Sequence, residues 1–196
     1  VLAAKTIAKA AIVDVTITPS GTPATEITAL QANTIAKLTT GVVTATVAAA
    51  SASYLNSTLK DAKATDALTL TVTGTTATAS DLKALDAKTS VAVNASTNVT
   101  LITGNAADVK TVLAATTINT AEDVKVTVTG TVSAADANTI AGLTEGEVKA
   151  DVKGSAAALN AALKDVDLSD SITVTLTGTT AAAKDLIELS GKVGTL

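Results

Sequence analysis

The stretch KDVDLSD at residues 164–170 brings Asp165, Asp167 and Asp170 close together in the chain. Carboxylates so spaced can offer hard oxygen ligands to calcium. Their surroundings follow neither an EF-hand loop nor a nonapeptide calcium repeat. Solvated loop charges are therefore the stronger expectation, with calcium as the alternative. Three N-x-[ST] triplets, at Asn56, Asn94 and Asn98, are possible glycan acceptors, although a sequence this rich in Thr and Ser forms such triplets by chance. The third candidate is a set of threonine pairs: Thr16 and Thr18 in VTITPS, Thr71 and Thr73 in LTVTGT, Thr127 and Thr129 in VTVTGT, and Thr175 and Thr177 in VTLTGT. Hydroxyls and methyls repeated on one strand face could bind ice, glycan or another surface. Threonine is also a strong strand former in its own right.

Catalysis has little to work with. The 196 residues include no His, Cys, Met, Trp or Phe, all 14 basic residues are lysines, and Tyr54 is the one aromatic. Imidazole bases, thiolates, disulfides, ordinary zinc or haem sites and arginine clamps are thereby excluded. No catalytic or cofactor-binding residue is expected, and the chain does not read as an enzyme. A net charge of −4 with no basic stripe argues against a nucleic-acid partner. No apolar run approaches the roughly 18 residues that span a bilayer. The first residues, VLAAKTIAKAAI, lack a full signal-peptide layout.

Internal repetition organises the rest. ANTIAKLTTG at 32–41 returns as ANTIAGLTEG at 137–146, LNSTLKD at 55–61 as LNAALKD at 159–165, and TGTTATASDLKAL at 73–85 as TGTTAAAKDLIEL at 177–189. These matches define a long repeat of about 104 residues, approximately 1–111 and 112–196, both incomplete. Each long repeat divides into β-type runs followed by Ala-rich helical runs. Strands are expected at 13–18, 42–47, 68–73, 99–103, 124–129, 148–152 and 172–177. Helices are expected at 24–37, 52–60, 78–87, 105–114, 133–142, 155–164 and 180–189, with Ser80 and Ser155 as N-caps. Residues 91–97 are a seam without a clear assignment.

Strands separated by helices demand parallel pairing. The strands alternate: Ile172, Val174 and Leu176 oppose Thr173, Thr175 and Thr177, so one face is wet. A sheet covered by helices on both faces would read as continuous apolar runs. The expected fold is therefore an α/β chain forming a single β/α solenoid of about seven units: one parallel sheet with a wet Thr face, and short Ala-rich helices on the other side. It shares only its general plan with leucine-rich-repeat proteins, whose consensus is not matched. The alternative is a mixed sandwich of two 104-residue domains.

Units such as VTVTGTVSAADANTIAGLT and GSAAALNAALKD resemble tandem repeats of giant bacterial surface or secreted proteins, cyanobacterial ones included. That resemblance implies an extracellular or cell-surface structural or adhesive component and carries over no catalytic residue. The leading expectation is a structural protein that self-associates head to tail into a filament or sheath, or forms the stalk of a surface adhesin. Uncapped apolar ends, at Val1, Leu2 and Ile7 and at Val193 and Leu196, are the expected assembly residues. The alternative is a module that binds ice or glycan through its Thr-x-Thr face.

Overall fold

The computed structural model describes residues 12–18 and 26–193. Each described helix follows one or two strands. The first unit holds β1 (Val15–Thr16) and α1 (Ala29–Leu38), and the second β2 (Val43–Thr46) and α2 (Ala52–Thr58). The third holds β3 (Ala67–Thr69), β4 (Thr76–Thr78) and α3 (Ala79–Asp86). The fourth follows with β5 (Val93–Asn94), β6 (Leu101–Gly104) and α4 (Ala106–Ala114), and the fifth with β7 (Ile118–Asn119), β8 (Lys125–Val132) and α5 (Ala134–Ala141). β9 (Val148–Gly154) with α6 (Ala156–Ala162) and β10 (Ser171–Leu176) with α7 (Ala183–Ser190) complete the series. No described helix is long and apolar enough to cross a membrane.

All strand pairing is parallel, and every ladder joins one unit to the next in sequence. One sheet was expected, whereas the ladders divide into three, ordered β1-β2-β3, β10-β9-β8-β6-β4 and β5-β7. The division has a physical cause at the Thr-Gly-Thr motif. Gly74, Gly130 and Gly178 adopt φ of +95°, +77° and +98°, values that other residues reach only with strain. Rather than sending the chain straight into a helix, Gly74 makes a corner after which β4 begins a second ladder. Gly130 lies in a bulge within β8: Thr127 pairs with Lys149, and pairing resumes at Thr131 with Asp151. The seam at 91–97 contributes β5, which pairs with Ile118 and Asn119 and is joined to the third unit by the Thr71–Asn94 bridge.

Alternation within the ladders separates core from solvent. The row Ala77, Ile102, Val126 and Val148 is buried and in register across four units. The helices add to it through one template. Each begins with Ala, and the fourth position carries Ala32, Leu55, Leu82, Val109, Ala137, Leu159 or Leu186. Only Leu186 of this set is not fully buried. Thr28, Ser51, Thr78, Asn105, Ser133 and Ser155 cap the first six helices by accepting from the third backbone N–H, while Ala182 offers α7 no side-chain cap. Thr78, not Ser80, is therefore the cap of α3.

Three threonines secure the return from helix to strand. Thr39, Thr89 and Thr144 donate their hydroxyls to the carbonyls of Val13, Leu68 and Val124 respectively, each in the preceding unit's strand region. Each also accepts from a backbone N–H two residues on, at Gly41, Val91 and Gly146. This draws the backbones together so closely that a Cβ on Gly146 would lie 2.3 Å from the Asp123 carbonyl oxygen. Gly146→Ala is expected to cost about 2–3 kcal/mol, the upper range for overpacking, because the obstruction is rigid backbone. Gly74→Ala, with open space but positive φ, is expected to cost about 1 kcal/mol. Urea unfolding followed by circular dichroism checks the order, and equal midpoints would refute it.

Candidate functional site

Of the threonine pairs, Thr16, Thr18, Thr129, Thr175 and Thr177 are exposed, and Thr71, Thr73 and Thr127 half-buried. They do not form one continuous array. Thr16 pairs with Thr44, Thr71 with Asn94, and Thr175 with Lys153, while Thr127 stands between Thr103 and Lys149. The longest lateral run of threonines in the register is Thr78, Thr103 and Thr127, after which Lys149 and Ser171 continue the row. β9 places Lys149, Asp151 and Lys153 outward, so charges interrupt the hydroxyls at the sixth unit.

The three aspartates of 164–170 have separate partners. Asp165 accepts from Asn138 Nδ2 at 2.6 Å, and Asp167 accepts from the Ser169 backbone N–H at 2.7 Å and hydroxyl at 2.6 Å. Asp170 is turned into the protein and accepts from the backbone N–H of Val148 at 2.8 Å and of Asp167 at 3.3 Å. Asp66, 104 residues earlier, does the same for Val43 and Lys63, both at 2.9 Å. These two buried carboxylates anchor strand starts. Among the described residues no group of three carboxylates converges as a metal site would require.

The sequon asparagines are also engaged. Asn56 donates to Asp81 at 3.0 Å, Asn94 accepts from the Ser96 backbone and hydroxyl, and Asn98 donates weakly to the Val72 carbonyl at 3.4 Å. Of the expected assembly residues, Val1, Leu2, Ile7 and Leu196 lie outside the described residues. Val193 is 3% exposed and belongs to the core, its N–H bound to the Leu189 carbonyl, so it offers no free surface. Exposed apolar side chains in the last described unit include Leu168, Leu176 and Ile187.

The sequence reading missed a line of contacts between helices. In each of the first six helices the fifth residue is Asn or Lys, and it donates to a carboxylate of the next unit. Asn33 reaches Asp61 at 2.9 Å, Asn56 reaches Asp81, Lys83 reaches Asp108 at 2.8 Å, Lys110 reaches Asp136, Asn138 reaches Asp165, and Asn160 reaches Glu188. The partners are 25 to 28 residues apart, one unit's length. Two asparagines clasp twice, because Asn33 Oδ1 accepts from the Asp61 N–H and Asn138 Oδ1 from that of Asp165, each at 2.7 Å. The signal was available as a cap, an alanine, an apolar fourth position and an Asn or Lys at the fifth.

Charge follows these clasps. Hydrogen bonds from Lys83 and Asn105 hold the Asp108 carboxyl below its usual range, those from Lys110 and Ser133 do so for Asp136, and that from Asn160 does so for Glu188. Burial pushes Asp170 the other way.

Among the surface hollows, a polar one of about 360 Å³ is lined by Glu147, Lys149, Asp170 and Ser171. An apolar groove of about 510 Å³ lies along α1 between Ile17, Ile27, Leu30 and Ile35. In the polar hollow the Ser171 hydroxyl donates to the Glu147 carboxylate, which also accepts from Lys125 at 3.3 Å. Comparison with protein-family models, curated proteins and solved structures finds no match.

The pH dependence follows from the signs. Asp108, Asp136 and Glu188 have depressed folded values, so their stabilisation is present above the unfolded carboxylate pKa, about 4, and is lost as pH falls through the folded values. Asp170, with a raised folded value, contributes in the opposite sense, its share declining as pH rises from the unfolded toward the folded value. The three clasped carboxylates outnumber it, so urea midpoints are expected to fall below about pH 4. Lys83→Ala with Lys110→Ala should flatten that acid limb, and an unchanged slope would remove the clasps from the explanation. Asp66→Ala, which strands the buried N–H of Val43, is expected to cost about 1–3 kcal/mol at neutral pH.

Proposed function

We propose that this chain is a structural β/α solenoid, a scaffold of stacked units that assembles end to end into an extracellular filament or sheath, or serves as the stalk of a bacterial surface adhesin. The observation that carries the proposal is the unit-to-unit bonding. Every ladder and every helix clasp joins neighbours in sequence, which is how a repeat architecture distributes its stability. Bonding of this kind can be extended by adding units without redesigning those present. Much of the side-chain chemistry joins units: Asp66 and Asp170 anchor backbone of the preceding unit, and Asn33, Asn56, Asn138 and Asn160 reach carboxylates of the next.

A second reading, binding of ice or glycan by the sheet face, draws on the Thr78, Thr103 and Thr127 run, in which lateral neighbours lie about 4.8 Å apart. The charged row of β9 limits the extent of any such surface. Negative-stain electron microscopy together with an ice-growth assay separates the two. Filaments or sheets of repeating units are the expected result. Dispersed particles that halt ice growth, or that bind a glycan array and lose binding on Thr103→Lys, would replace the scaffold with the surface-binding reading.

A further inference from the structure

Six successive helix joints use a polar donor at the fifth helical position, whereas α7 carries Ile187 there, 70% exposed. The opposite end deviates in the same sense. Among the seven described helices α1 alone has a large apolar side chain at its second position, Leu30, 63% exposed, where the others have Ala, Ser or Lys. Its third position is Gln31, where α3, α4 and α5 present the aspartates that receive clasps.

The internal repeat shows what covers these faces elsewhere in the chain. Ile35 of α1 corresponds to Ile140 of α5, which is fully buried in the core; Ile35 is only half-buried. Leu176 corresponds to Val72, which is fully buried and hydrogen-bonded to the following unit at Asn94, whereas Leu176 is 40% exposed. Thus inside the chain the matching positions are buried, and at Val72 the following unit is bonded alongside. Among the described residues β1 and β10 also each pair on one side only.

We infer that the α7–β10 end of one copy docks onto the α1–β1 end of a second copy, Ile187 and Leu176 packing into the groove of Ile17, Leu30 and Ile35. Polar clasps fix joints within the chain, and an apolar contact replaces them between chains. Such a head-to-tail contact is heterologous and propagates unless its rotation closes a ring. The inference rests on the scaffold reading and specifies its partner.

Sedimentation of the full chain over a range of concentrations tests it, with circular dichroism confirming the fold of each variant. The wild type is expected to exceed its one-chain mass of 19.1 kDa progressively. Ile187→Lys and Leu30→Asp, both at exposed positions, should each weaken association by about tenfold or more. An equimolar mixture of the two variants should regain it, because the introduced cation and anion then meet across one joint. A wild type that stays at one-chain mass, as it would if the groove were taken by residues 1–11 of its own chain, overturns the inference. Association unchanged by both substitutions also overturns it but leaves the scaffold reading standing.

Discussion

Strands in a parallel ladder lie about 4.8 Å apart, whereas helices with ordinary side chains prefer 8–10 Å. A chain that returns to the same ladders after every helix must reconcile these spacings, and much of the sequence expresses the compromise. Alanine opens every helix and keeps its first turn slender. In the first six helices a buried apolar residue at the fourth position, as small as Ala32 or as large as Leu82, contributes to the core, and the next position reaches sideways to the neighbouring unit. Because lysine and asparagine are long or flexible enough to bridge what backbone packing leaves open, polar clasps suit a joint that large aliphatic side chains would splay.

The general organisation was legible because it rests on periodicity. Val126 alternating with Thr127 announces a strand with one wet face, and the Ser/Thr/Asn–Ala starts announce helices. What escaped were features defined by lateral register. Gly130 could be recognised as a turn residue, but whether it ends the strand or bulges within it depends on β9 lying alongside, which nothing local to VTVTGT encodes. Thr175 looked equivalent to Thr127, yet one stands beside Lys153 and the other between Thr103 and Lys149. Asp170 looked like a solvated loop charge for the same reason. Its role depends on the Val148 N–H, 22 residues earlier in the chain.

The carboxylates show how one residue type is divided between two tasks. Asp66 and Asp170 are buried and satisfy backbone donors at the starts of strands, so removing one would leave a desolvated N–H. Asp108 and Asp136 are partly exposed and take charged donors from the preceding helix, an interaction that salt weakens. The strand starts are thus held mainly by short-range bonding in a protected environment, and the helices by contacts that respond to the medium.

The aliphatic core has a further consequence. With no thiol, thioether, indole or imidazole in the chain, oxidants find none of their ordinary side-chain targets, and the lone phenol, Tyr54, stands half exposed on α2, away from the packed interior. Photochemical or oxidative damage to that ring would mark the surface and leave every joint between units intact. The protein is, in effect, built from materials that weather slowly.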